Sequence, residues 1–246
     1  MSSLVGRASR RRAEGDTAEL PDGPVPVILS PEAVIQLLSL LNRVAFSASA
    51  YQDGTSFLRE HLGVQVFDRK FSLRDDGTDP SGLPIPFDLE GTAKCSVDLI
   101  AAGTPKTPAL DQRQAALLGL PPTGHAIAGN DARAEHLFVE PGELSDEDIL
   151  ASAEGGLWIS WLDPLECFDP SRVQIRSVAR GLRLVEGGKL GRPLPDMRWN
   201  DSVLRMFSSL QGVGRDRQTS AIDGFLGGIT APPIVLPEIT ALTPLS

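Results

Sequence analysis

The chain carries three histidines, His61, His125 and His136, and two cysteines, Cys95 and Cys167. A zinc site draws on such side chains at short, repeated spacings, because several donors must reach one ion at about 2.0–2.3 Å. No two of these five stand at ligand spacing. A zinc finger, a disulfide framework and a zinc centre built by this chain alone are therefore not expected. His61 follows Arg59-Glu60 and reads as a surface or capping residue. His125, within Thr123-Gly124-His125-Ala126-Ile127-Ala128-Gly129, reads as a loop histidine in water, with a ligand-facing role as the alternative. No Gly-x-Ser-x-Gly elbow occurs, so nucleophilic catalysis lacks a placed nucleophile and a placed base.

Carboxylates gather at Asp75-Asp76, Asp79, Asp88 and Glu90, around Pro84-Ile85-Pro86-Phe87-Asp88-Leu89-Glu90-Gly91. Paired carboxylates can share a proton or hold a cation. The same short side chains also cap turn amides without any ligand. Calcium-loop spacing is absent, and turn-building is the first reading. The functional alternative is a cleft or partner-facing surface made by Asp75, Asp76, Asp88 and Glu90 with Thr123, Gly124 and His125.

The elements that must position these groups follow from pattern. The 246 residues are 41% hydrophobic and hold 24 Gly and 20 Pro, enough for a core broken by many turns. A formal charge of −9 opposes a phosphate-binding face, so no nucleic acid is expected. The longest apolar run, Val34 to Leu41, is too short to cross a bilayer, and the arginine-bearing start lacks a signal-peptide core. No membrane partner and a cytoplasmic location follow as expectations. Residues 1–23 read as a flexible lead-in or linker and 24–246 as one domain.

Order is expected to start with a strand at Val25–Leu29. Ser30-Pro31-Glu32-Ala33 then supplies an N-cap, a proline at N1 and an acid in the first turn of a helix running to about Ser47. Its apolar residues cover nearly all faces, which marks a buried helix. Further helices are expected at Ser56–Leu62, Asp111–Leu118, from Ser145, and at Asp201–Leu210. Strands are expected at Gln65–Phe67, Phe71–Arg74, Thr92–Ala101, His136–Glu140, Gly156–Trp161, Arg172–Val178, Gly181–Val185 and Pro233–Ile239. Glu186-Gly187-Gly188-Lys189 reads as a tight hairpin turn. The sum is an α+β domain, a largely antiparallel and barrel-like sheet with a buried helix and a few short packing helices.

Several stretches, in this order and spacing, resemble the C-terminal domain of the TldD/PmbA family. They are Val27-Ile28-Leu29-Ser30-Pro31-Glu32-Ala33, Asp53-Gly54-Thr55-Ser56-Phe57-Leu58, Asp75-Asp76-Gly77 and Pro86-Phe87-Asp88-Leu89-Glu90-Gly91. Thr123-Gly124-His125-Ala126, Val139-Glu140-Pro141-Gly142 and Gly156-Leu157-Trp158-Ile159 complete the set. The resemblance implies a part in a heteromeric TldD–TldE metallopeptidase. In the catalytic TldD subunits the helix after Ser-Pro-Glu-Ala carries His-Glu-x-x-x-His, and a cysteine near the C-terminus completes a zinc site. Those motif positions fall here on Ser39, Leu40 and Val44, and Asp223 to Pro232 holds no cysteine.

By resemblance, then, the chain is like the PmbA (TldE) branch: a subunit binding no cofactor itself, with zinc in a TldD-like partner and unfolded peptides or small proteins as substrate. Family members usually carry an N-terminal domain of similar size, so the resemblance implies either that the start is truncated or that a separate polypeptide, a further partner, supplies that half. Two other readings stay open. One is a metal-dependent hydrolase working through the acidic cluster. The other is a binding or scaffold module that kept the fold without the peptidase role.

Overall fold

The computed structural model describes residues 18–129, 131–222, 226–240 and 242–245. The first elements are β1 (Val27–Leu29), α1 (Pro31–Val44), α2 (Ala48–Gln52), α3 (Leu58–His61), β2 (Leu73–Asp75), β3 (Val97–Ala101) and β4 (Thr104–Pro105). Then come α4 (Gln112–Leu118), β5 (Ala126–Ile127), β6 (Asp131–Ala132), β7 (His136–Val139), α5 (Asp146–Ser152), β8 (Leu157–Ile159) and β9 (Trp161–Asp169). The rest are β10 (Gln174–Arg180), β11 (Arg183–Glu186), β12 (Lys189–Pro193), β13 (Met197–Ser202), α6 (Val203–Phe207), β14 (Gly212–Val213), β15 (Gln218–Ala221), β16 (Gly228–Ala231), β17 (Ile234–Leu236) and β18 (Thr243–Pro244).

They form three open sheets and a small hairpin. One sheet runs β12-β11-β8-β1-β17-β14, a second β18-β13-β10-β9, a third β15-β16-β7-β2-β3-β4, and β5 pairs with β6. Among the described ladders only β1 with β8 and β16 with β7 are parallel. The α+β, largely antiparallel architecture is as the sequence implies. Among the described residues none of the sheets closes into a barrel.

Helix α1 sits among these sheets, against β9, β16, β15 and β1. Ser30 begins it as expected: its hydroxyl accepts from Ala33 N at 3.1 Å and donates to the carbonyl of Ser160 at 2.5 Å, satisfying an end amide while tying the helix to the chain after β8. Ala33, Val34, Ile35, Leu37, Leu38 and Leu41 are essentially without exposure. The helix stops at Val44 and not near Ser47. Ser47 instead caps a separate helix, α2, accepting from Ala50 N at 3.3 Å, since a serine satisfies more backbone at an N-cap than inside a helix.

Gln65–Phe67 is not a strand. Val66 N and Phe67 N both donate to the carbonyl of Gly103, and Phe67 is an anchor in a row of edge-to-face rings, Phe46, Phe57, Phe67, Phe71 and Phe207, with centroids 5.0–6.1 Å apart. Its aromatic character serves packing, not pairing. Gly187 and Gly188 hold φ of +59° and +66° between β11 and β12, the mirror-image turn a two-residue hairpin needs. Strand β12 and the start of β9 carry no clean alternation, whereas β13 alternates buried Met197, Trp199 and Asp201 with exposed Arg198 and Asn200 and was not among the expected strands. The expected lead-in, 1–23, lies up to residue 17 outside the described residues. Its last part is packed: Ala18 is buried and its N–H donates to the carbonyl of Pro193 at 2.9 Å, so order begins before Val25.

Candidate functional site

Strand β2 sorts the chemistry by alternation. Leu73 and Asp75 point inward and Arg74 points out, because consecutive side chains leave opposite faces of a strand. Pairing with β7 sets Asp75 beside Leu137 and Arg74 beside Phe138.

On the inner face Asp75 has no exposure. Its Oδ1 lies 2.7 Å from His125 Nε2, and its Oδ2 accepts from the backbone N–H of His136 at 2.6 Å. His125 Nδ1 lies 2.9 Å from Thr123 Oγ1. That hydroxyl also accepts from Leu110 N at 2.8 Å and lies 2.9 Å from the carbonyl of Leu110. Both nitrogens of His125 are thus engaged, one by the carboxylate of Asp75 and one by the hydroxyl of Thr123. Burial alone would raise the Asp75 carboxyl; the bond and charge of His125, the His136 amide and the Lys94 charge outweigh it and hold the group below its ordinary range.

The loop that delivers His125 depends on Gly124. Its φ is +73°, and a Cβ there would lie 2.3 Å from the carbonyl oxygen of Ala93. This close backbone approach leaves no room for a side chain at position 124. The histidine is not in water as expected: His125 is 1% exposed, because its two polar partners are supplied from β2 and from Thr123.

Two groups the sequence reading left out complete the cluster. Lys94 is buried, and its Nζ lies 3.1 Å from His136 Nδ1. Burial pushes the Lys94 ammonium down, against the pull of Asp75, Glu135 and Asp88. Burial and the Lys94 charge push the His136 imidazole down to about 4. His136 is therefore neutral and accepts from Lys94 through Nδ1, leaving the proton on Nε2. That atom has no hydrogen-bond partner of ordinary geometry and is closed over by Gly227, where a Cβ would lie 2.5 Å away. A histidine opening a strand whose other residues, Leu137, Phe138 and Val139, are all apolar was the signal that could have found it.

The other predicted residues do not converge here. On the outer face Arg74 reaches Asp76 at 3.0 Å, Asp79 at 2.5 Å and Glu140 at 2.8 Å, and its guanidinium carbon lies 4.5 Å over the Phe138 ring. Asp76 and Asp79 also cap their own turns, accepting from Thr78 N and Ser81 N. Asp88 accepts from Glu90 N, Thr92 N and Ala126 N. Glu90 is exposed. The carboxylates are spent on turns and on Arg74, so the acidic cluster separates into an outer clamp, a turn and the buried Asp75.

Hydroxyl, imidazole and carboxylate in line look like a nucleophile, a base and its orienting group. The arrangement cannot act as one, since Asp75 and His125 are sealed from water and from any substrate. As for metal, no three His, Cys, Asp or Glu side chains gather as ligands among the described residues. At the α1 positions that the resemblance aligns with a metal motif, Ser39 and Leu40 are 6% exposed and Val44 is half-buried. The Ser39 hydroxyl accepts from Arg43 at 3.5 Å, and Leu40 and Val44 are hydrocarbon. This donor set does not fit zinc. The segment Asp223-Gly224-Phe225 lies outside the described residues. Among the described residues no helix is long and apolar enough to cross a membrane.

The family model of the PmbA/TldA metallopeptidase C-terminal domain matches residues 22–242. An uncharacterized protein of Methanocaldococcus jannaschii is 36% identical over 104 residues, which cover 42% of this chain and 25% of that protein. Two solved structures share the fold. One is a candidate modulator of a DNA gyrase from Thermotoga maritima, with TM-score 0.80 and 24% identity over 91% of this chain and 50% of that one. The other is TldE from Thermococcus kodakarensis, with TM-score 0.78 and 22% identity over 90% of this chain and 50% of that one. The chain thus spans about half the length of both solved relatives.

Proposed function

The chain belongs to the TldD/PmbA family by its C-terminal domain, and from that premise we propose that it is a non-catalytic subunit of a TldD/TldE-type peptidase that acts on unfolded peptides or small proteins. The single observation carrying this reading is the face of α1. Where the family's catalytic members place metal ligands and a general base, this helix offers a serine, a leucine and a valine. A zinc ion needs several nitrogen, sulfur or carboxylate donors, and second-layer groups cannot replace ligands that are missing. Hydrolysis is then the work of a zinc-bearing partner, and this chain shapes the chamber beside it. The polar cluster around Asp75 is sealed, which favours a structural part for it in this domain.

The test is reconstitution. The purified chain is mixed with a homologue bearing His-Glu-x-x-x-His, and the mixture is assayed by light scattering and by cleavage of an unfolded peptide. A stable complex with hydrolysis that neither chain shows alone is expected. Absence of any complex with such homologues would point to the scaffold reading instead.

A further inference from the structure

Residues 76–96 join β2 to β3, which are neighbours in one sheet, by a long excursion that contains no strand beyond a single bridge between Phe87 and Ala93. Connections of this length without structure of their own are uncommon in compact domains and tend to be functional. What holds this one down is unusual, because its apolar side chains face away from the body: Leu83, Phe87 and Leu89 are 43%, 57% and 57% exposed. The attachments are polar and come in two groups. Near its start, Arg74 grips Asp76 and Asp79 while stacking on Phe138, against which Gly82 packs. Near its end, the buried ammonium of Lys94 reaches His136 Nδ1, Asp88 accepts from Ala126 N, Leu89 N donates to the carbonyl of Ala126, Gln112 Nε2 donates to Thr92 Oγ1, and Cys95 N donates to the carbonyl of Thr123; of these the Lys94 bond ends on an imidazole that can change charge as the pH falls, and the last three join groups that do not.

We propose that residues 83–95 are a flap hinged at the Arg74 clamp and latched by Lys94 on His136, and that acidification releases it. The latch works only while His136 is neutral. An imidazolium carries a hydrogen on Nδ1, so it can no longer accept from Lys94, and it places two cations at hydrogen-bond distance in a buried site. The charged groups around the pair are Asp75 from β2, His125 from the loop after α4, and Glu135 and Asp88; Leu83 presents its backbone to His136. Asp75 is already committed to His125 and to the His136 amide, so neither of its oxygens is free to take a protonated His136 ring.

The hinge responds to a different range of pH. Burial raises Asp76, but the bonds from Thr78 and Ser96 and the Arg74 charge bring it below the ordinary carboxylate value; bonds from Ser81 and from Arg74 do the same for Asp79. The Arg74 clamp therefore keeps its ion pairs through the interval in which His136 takes a proton. The latched His136 titrates near 4, and departure of the Lys94 ammonium removes one of the causes that hold it there, letting the imidazole rise toward its usual value of about 6.5. The ratio of open to latched flap should then rise between pH 7 and pH 4, by at most about two orders of magnitude.

Hydrogen exchange of the full chain, read by mass spectrometry and corrected for the intrinsic pH dependence of exchange, tests this. Peptides covering 83–95 are expected to lose up to about a hundredfold in protection from pH 7 to pH 4 by local opening, so that they exchange well ahead of the strands β1 and β17, whose protection falls no further than global stability does. In His136→Gln the amide oxygen can take the Lys94 hydrogen and does not titrate, so protection of 83–95 should stay flat. The proposal is overturned if the parent shows no loss, if the flap never exchanges faster than the core strands, or if His136→Gln repeats the parent's fall. Should that variant not fold, Lys94→Met decides: a flap open at every pH supports the latch, and one that still opens only in acid refutes it.

Discussion

His125 Nε2 lies 2.7 Å from Asp75 Oδ1, with neither side chain exposed to water. This pair bolts the loop after α4 onto the inner face of β2, and Asp75 passes the restraint to β7 through the His136 amide. Strand β2, the loop at His125 and strand β7 meet on one carboxylate.

Asp75→Asn should therefore be costly even though the shape is kept. One amide group cannot accept through both of its ends, so either His125 or the His136 N–H faces another donor, and the buried Lys94 and His125 charges lose their counter-charge. Breaking one partner of a buried pair costs about 3–5 kcal/mol. Urea unfolding measures it, with His125→Ala and the double variant closing a cycle. The coupling between the two positions should exceed about 1 kcal/mol. Additive costs would mean that the two residues do not act as a pair.

The pH dependence of global stability follows from His136. Its imidazole is pushed down to about 4 in the folded chain and returns to about 6.5 when unfolded. Below pH 6.5 the unfolded chain binds a proton that the folded one refuses. Stability contributed by this group is full above that pH, falls as pH drops toward 4, and is level beyond. The loss is at most about 3 kcal/mol. Denaturant midpoints of the parent and of His136→Gln across pH 7 to 4 check it, the difference between the two curves growing only inside that window.

Leu38, wholly buried on α1, tests the helix that the sequence made most legible. Leu38→Asp places an unpaired carboxylate in the main core and should cost at least about 4 kcal/mol. Arg43→Ala on the same helix, at an exposed position, should cost less than about 1 kcal/mol. Thermal melts of both compare them directly, and near-equal melting would displace α1 from the core.

The helix was legible because Ser30, Pro31 and Glu32 are local signals that no distant contact needs to supply. The same holds for Asp111 with Gly119 around α4, for Ser145 with Asp148 at the start of α5, and for Gly187-Gly188. What stayed hidden depends on partners remote in sequence. Lys94 is a lysine in a polar stretch until His136, 42 positions on, turns out to be its acceptor. Phe67 reads as a strand residue until its ring is seen between Phe57 and Phe71. His125 reads as a loop residue because the carboxylate that buries it is 50 positions earlier. Composition and spacing register types and neighbours, and burial of a charge is decided by neither.

Metal should add nothing to this chain's stability. With a hydroxyl at Ser39 and hydrocarbon at Leu40 and Val44, α1 has no donor set for a divalent ion, so melting in excess chelator and melting with added zinc should agree within about 1 °C. The comparison is decisive because a real site could not hide in it. An ion binding the folded chain alone at a hundred times its dissociation constant stabilises by about 2.7 kcal/mol. At this chain length that would raise the melting temperature by about 5–10 °C. A shift of that size, carried by a stoichiometric ion that survives dialysis, would mean that side chains of this polypeptide do hold a metal, and the division of labour proposed between it and a zinc-bearing partner would have to be abandoned.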